Sequence, residues 1–143
     1  MEIPNHVSDL FDHDENFKSI MKRMLVASID ESFDAIMITE AGSGYPVVYV
    51  NPAFCALSGY TPEEVLGKSP GILQGPKTDD EVLKRLAKDL AEGRLFHGRA
   101  VNYKKDGTTF MMEWKIVPIT GPSGDTSHFM AIQRDVTAEA PES

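Results

Sequence analysis

An α+β fold, with a five-stranded antiparallel sheet and short helices on one face, is predicted by three features of the chain. Five runs rich in β-branched and aromatic residues alternate with turns containing Gly or Pro. Signals for several short helices fall between the second and third runs, and an apolar stripe at helical spacing precedes the first. At 143 residues the chain fits one domain, large enough to bury a core without a disulfide or a structural metal.

Residues 1–15 are polar and acidic with scattered Ile3, Val7, Leu10 and Phe11, which suits a loose arm or a short amphipathic cap. From Asn16 onward, Phe17, Ile20, Met21, Met24 and Leu25 form one helical stripe flanked by Lys18, Lys22 and Arg23. Such a stripe needs a partner surface, either its own domain or a second copy of the chain. DAIMITEA (34–41) and YPVVYVN (45–51) are strands joined by GSG. NPAFCALSGY is a short helical turn stopped by Gly59. TPEEVLG opens with a capping box: Thr61 as N-cap, Pro62 at the first helical position and Glu64 three residues on. A second box, Thr78 with Glu81, opens a longer helix to about Glu92, with Val82, Leu86 and Leu90 on one face and Gly93 as its stop. LFHGRAVNYK (95–104), TTFMMEWKIVPI (108–119) and SHFMAIQRDVT (127–137) complete the strands, with Lys105-Asp106-Gly107 and the 121–125 segment as turns.

Composition removes several function classes. Fourteen basic against twenty-two acidic side chains give a net charge of −8, which repels nucleic-acid phosphates and anionic lipid. The single cysteine, Cys55, excludes an internal disulfide and a thiolate metal cluster, and a reducing cytoplasm is expected. The N-terminus lacks the basic start and apolar run of a signal peptide, and no stretch approaches a membrane span, so a soluble, unprocessed protein is expected. An enzyme is not expected, because no nucleophile–base pairing, metal-ligand spacing or phosphate-cradling glycine loop is present.

A ligand site is expected between the sheet and the helices. Alternation along 108–119 points Phe110, Met112, Trp114 and Ile116 inward and Met111, Glu113 and Lys115 outward. Asn102 and Gln133 interrupt the apolar pattern of their strands. Two inward carboxamides without partners would each cost about 1–3 kcal/mol, so together they suggest the polar edge of a ligand.

The order of elements, with VVYVNPAFCALSGYTPEEVLGKS, NYKKDGTTF and MAIQRDVT, resembles the PAS sensor domains over residues 30–137. The resemblance implies an N-terminal arm and cap helix over 1–29, the PAS fold over 30–137 and a tail over 138–143. Within the superfamily the chain looks most like the light-oxygen-voltage (LOV) flavin-binding domains. Their GxNCRFLQG hallmark aligns without gaps on Gly67-Lys68-Ser69-Pro70-Gly71-Ile72-Leu73-Gln74-Gly75, which puts Pro70 where the adduct-forming cysteine would be. The resemblance assigns Gln74 to the ribityl chain, Asn102 to the pyrimidine edge of the ring, and Gln133 to flavin N5 and O4, where it relays a signal into the last strand. It places Thr39, Trp114, Ile116, Phe129 and Ala131 around the ring.

The departures matter equally. Met112 replaces the family's second asparagine, and Ser69 is shorter than the family's residue there. The two arginines that grip the FMN phosphate fall on Gly71 and Ala87, leaving Lys84, Arg85 and Lys88 as substitutes. FMN is the implied cofactor, with FAD as the alternative, because NYKKDGTTFMME also resembles redox-sensing PAS domains that hold FAD. The implied function is a light or redox sensory module without cysteinyl-adduct photochemistry; the alternative is a PAS module with another ligand or none, acting in dimerisation and relay. The expected partners are a second copy, through the N-terminal helix or the sheet face, and a downstream signalling protein or effector domain. Family members hand over to a signalling helix soon after Thr137, so the sequence suits either a piece of a larger receptor or a short stand-alone sensor.

Other residues have plainer readings. Cys55 suits a small core residue, His97 a solvated strand-end histidine rather than a haem ligand, and Trp114 a core residue that doubles as an electron donor if a flavin is present. Glu113 and Lys68 are expected to form a surface ion pair.

Overall fold

The computed structural model describes residues 15–139, with side chains from residue 18 onward. The arm expected before residue 15 and the last four residues of the tail lie outside the described residues. The elements run α1 (Glu15–Asp30), β1 (Ala35–Glu40), β2 (Val47–Val50), α2 (Pro52–Ser58), α3 (Pro62–Val65), a 3-10 turn (Pro70–Leu73), α4 (Asp80–Ala91), β3 (Phe96–Tyr103), β4 (Thr109–Thr120), β5 (Thr126–Asp135) and a final 3-10 turn (Thr137–Glu139). The five strands form one sheet in the order β2-β1-β5-β4-β3, every pairing antiparallel.

Alternation fixes which face meets the helices. Along β4, Phe110, Met112, Trp114 and Ile116 are buried while Thr109 and Lys115 are exposed. The same face receives Met37 from β1, Phe129 and Ala131 from β5, and Phe96 and Ala100 from β3, closed over by Phe54, Val65 and Leu73 from the intervening segments. Helix α4 brings Val82, Leu86 and Leu90 against this core. Arg85 pins α4 to β3: its Nη1 donates to the His97 carbonyl at 2.8 Å and its guanidinium lies 4.8 Å from the centre of the Phe96 ring.

The helix starts follow sequence chemistry with one correction. Asn51 caps α2, its Oδ1 accepting from Phe54 N at 3.0 Å ahead of Pro52 at the first position. At α3 the expected box forms, and Thr61 N donates to Glu64 Oε1 at 2.9 Å. For α4 the cap is Asp79, whose Oδ1 accepts from Glu81 N at 2.8 Å. Thr78 is drawn inward instead: its Oγ1 donates to the Val101 carbonyl at 2.7 Å and accepts from Gly75 N at 3.1 Å, so a tertiary bond outcompetes the local cap.

Asn51 is the hub of the N-terminal half. Fully buried, it accepts from Ile36 N at 2.8 Å as well as Phe54 N, and its Nδ2 donates to the carbonyls of Ile29 at 2.9 Å and Asp34 at 3.1 Å. The end of α1 is held there and by Tyr49, whose hydroxyl donates to Asp30. Burial, then this bond to the Asp30 carboxylate, pushes the Tyr49 phenol up to about 12. Among the described side chains of α1, Ile20, Met24, Leu25 and Val26 are exposed and Met21 is half-buried, and Phe33 just beyond the helix is exposed. Of the two outlets expected for the stripe, its own domain leaves Ile20, Met24 and Leu25 uncovered among the described residues.

Candidate functional site: a cavity between the sheet and α4

A cavity of about 270 Å³ lies between the helix-facing side of the sheet and the segment 69–90. Each wall comes from a different element. The sheet supplies Met37 and Thr39 from β1, Asn102 from β3, Met112, Trp114 and Ile116 from β4, and Phe129, Ala131 and Gln133 from β5. Ser69, Pro70, Gly71, Leu73 and Gln74 form the opposite wall, and Leu83, Leu86, Ala87 and Leu90 project from α4. Tyr45 closes one end, its ring edge-on to Phe129 at 5.8 Å. Tyr45 takes φ 48°, the left-handed region, as the hairpin leaves Gly44.

Every residue expected at the site lines this cavity: Thr39, Ser69, Gln74, Asn102, Met112, Trp114, Ile116, Phe129 and Gln133. Met37, Tyr45, Leu73 and Leu83 were not expected there. Leu73 and Leu83 had a signal, since Leu73 falls in the loop wall and Leu83 is next to the apolar face of α4. Tyr45 had none, because its direction depends on a backbone angle the sequence does not announce.

The polar groups are few and unevenly satisfied. Asn102 is 2% exposed, and its Nδ2 reaches the Ala100 carbonyl only at 3.3 Å. Gln133 is 3% exposed, and its Oε1 has no hydrogen-bond partner, the single such buried side-chain atom among the described residues. Gln133 sits opposite both Ala35 and Trp114 in the central strands. Met112, paired with Ala100, stands on β4 between the strands that carry the two carboxamides and breaks the polar arc. Ser69 and Gln74 are exposed at the rim. Ser69 Oγ accepts from Gly71 N at 3.2 Å and caps the 3-10 turn that Pro70 begins.

Several sequence candidates fall outside the cavity. His97 is exposed on the face of the sheet away from it, 2.9 Å from Glu113 Oε2, so it is not placed to bind a haem there. Glu113 also accepts from Arg99 Nε at 3.3 Å, and these two partners, His97 first, hold its carboxyl below the usual range. The ion pair expected between Glu113 and Lys68 is thus replaced by cross-strand partners on β3. Cys55 is half-buried on α2, and burial, then the nearby Glu63 carboxylate, pushes its thiol up; it does not line the cavity. Among the described residues no three His, Cys, Asp or Glu side chains gather as a metal site, and no helix is long and apolar enough to cross a membrane.

Sequence comparison places this architecture: the PAS domain family model matches residues 33–138, and the chain belongs to that family. It is a PAS sensory domain of the light-oxygen-voltage-like kind, with photoreceptors among its relatives. It is 28% identical over 109 residues to a nitrogen fixation regulatory protein of Klebsiella oxytoca, covering 76% of this chain and 22% of that one. It is 40% identical over 92 residues to blue-light-activated histidine kinase 1 of Erythrobacter litoralis, covering 64% and 26%. A solved structure described as "Flavin Analogue Sheds Light on Light-Oxygen-Voltage Domain Mechanism" superposes with a TM-score of 0.72 at 28% identity, covering 90% of this chain and 89% of that chain. The chain spans about a fifth of the length of the curated relatives it matches first.

Proposed function

We propose that this domain binds a flavin, FMN or alternatively FAD, and senses light or redox state without forming a cysteinyl adduct. The observation that carries this reading is the partnerless Gln133 Oε1, buried with Asn102 in a cavity of apolar and aromatic walls. An acceptor left alone in such a place costs about 1–3 kcal/mol, and a ligand with donors and acceptors along one edge removes that cost. The resemblance to flavin-binding domains in the 67–75 segment and the likeness to a solved light-oxygen-voltage domain support the same ligand.

A bound flavin supplies blue-light absorption and reversible electron and proton uptake at N5. Asn102 would hold its pyrimidine edge, with Trp114, Ile116 and Phe129 against the ring and Ser69 and Gln74 near the side chain at the rim. Residue 70 is proline, without a nucleophile, and Cys55 does not line the cavity, so no thiol is available there for a cysteinyl bond. The response falls to Gln133, whose carboxamide presents a donor or an acceptor according to its rotation. That exchange acts on β5 and its neighbour β1, where Ala35 follows Asp34 and the Asn51 hub that holds α1. The output is a shift in a two-state equilibrium at α1, read by a second copy or by an effector. The domain acts as a binding module in the cytoplasm rather than as an enzyme, with neither nucleic acid nor membrane as a partner.

The test is the absorption spectrum of the purified protein, followed by denaturation and chromatography of the released chromophore. A flavin spectrum and released FMN or FAD are expected; colourless protein that takes up no added flavin would sink the proposal. A second reading is favoured by Met112, which breaks the polar arc: a PAS module with a more apolar ligand, or none, acting in dimerisation and relay.

A further inference from the structure

The charge around the cavity bears on which flavin it selects, an inference that rests on the flavin reading above. None of the side chains lining the cavity carries a charge at neutral pH. The buried carboxamides, Asn102 and Gln133, mark the deep end, and the exposed lining residues Ser69, Gly71, Gln74 and Ala87 mark the mouth. A ring whose polar edge meets the first pair therefore directs its substituent to the second group, which offers only a hydroxyl and a carboxamide.

The nearby cations Lys68, Lys77, Lys84, Arg85 and Lys88 do not line the cavity. Lys84 pairs with Glu81 at 3.3 Å, and Arg85 is held by the His97 carbonyl and the Phe96 ring on the flank of α4 that faces β3. The net charge of −8 adds a field unfavourable to a phosphate.

The geometry points to a site that recognises the isoalloxazine ring and is indifferent to phosphate, so that riboflavin, FMN and FAD bind alike. Phosphates held by proteins normally sit on charge-assisted hydrogen bonds or a helix N-terminus, and this rim supplies no cationic side chain for one. The tail leaves into solvent through the mouth at Gly71 and Ala87.

The test strips the protein of chromophore and titrates it with riboflavin, FMN and FAD, following flavin fluorescence at low and high salt. The three dissociation constants are expected to agree within about threefold and to be insensitive to salt. FMN or FAD binding about tenfold or more tightly than riboflavin, with the advantage lost in salt, overturns the inference and leaves the flavin site standing. No binding by any of the three overturns both. In Ala87→Arg the exposed mouth gains a cation: FMN is expected to gain about tenfold over riboflavin, and an unchanged ratio overturns the placement of the phosphate at this mouth.

Discussion

The Oε1 of Gln133 lies in the sheet core with no donor, which costs the ligand-free domain about 1–3 kcal/mol. Gln133→Leu keeps much of the volume and removes the polar group, so the ligand-free form should gain about 1 kcal/mol, seen as a higher urea midpoint with an unchanged slope. The same variant should bind flavin more weakly and transmit no light-induced change to α1; a drop in ligand-free stability would show that the acceptor is satisfied by water. Pro70 tests the opposite wall. Proline begins the 3-10 turn comfortably, and Pro70→Cys should, when loaded with flavin and illuminated, bleach the blue band reversibly. A loaded variant that does not bleach would show that residue 70 does not face the ring. Much of this site was legible in the sequence because a carboxamide in an alternating apolar strand stands out, as Asn102 and Gln133 do. The fate of the cations was not. Arg85 looks free on a helical wheel, and its capture by Phe96 and the His97 carbonyl depends on how α4 lies across β3.

Between elements, three junctions carry measurable consequences. Gly75 passes under Tyr103, whose hydroxyl accepts from Lys77 N at 2.9 Å, and a Cβ added to Gly75 would fall 2.4 Å from the ring. Gly75→Ala should cost about 1–3 kcal/mol by overpacking, with much of the loss recovered in Gly75→Ala/Tyr103→Ala relative to the additive expectation. Asn51 joins the end of α1, β1 and α2 through four hydrogen bonds, and Asn51→Ala should cost about 2–4 kcal/mol in denaturant melts, since it strands buried backbone groups and removes a cap. Glu64 joins α3 to the β3–β4 turn through Lys105 at 2.5 Å; this partner first, then Thr61 N, lowers its carboxyl from 4.5 to about 2. The unfolded chain protonates Glu64 at the higher value, so its stabilisation is complete above pH 4.5 and is lost as pH falls through about 2. Lys105→Met should flatten that part of the stability curve; an unaltered acid limb would show the pair contributes nothing. The strands were legible from their alternation, and α3 from its capping box. The start of α4 was not, because Thr78 and Asp79 are adjacent cap-competent residues, and the choice between them was made by the Val101 carbonyl, a partner remote in sequence. The partner of Glu113 likewise required the β3–β4 register that sets it opposite Arg99.

At the scale of the molecule, α1 leaves the domain with Ile20, Met24, Leu25 and Val26 uncovered, which supports a second copy as its cover. Ile20→Lys/Met24→Lys should leave the unfolding midpoint of the domain within the scatter of surface substitutions, about 0.5 kcal/mol, and convert a dimer to a monomer in light scattering. Monomeric parent protein at every accessible concentration would end that proposal. The sheet order has a mechanical consequence. Because β1 lies beside β5, the stretches that lead into and out of the sheet meet at one end of a single antiparallel ladder, with Asp34 2.7 Å from Arg134. Tension applied through the two flanking segments therefore peels this ladder rung by rung instead of shearing all rungs together, and the Ala35–Gln133 rung opens first. A tug from a neighbouring module would thus load the strand ends that carry Ala35 and Gln133 ahead of the rungs deeper in this ladder.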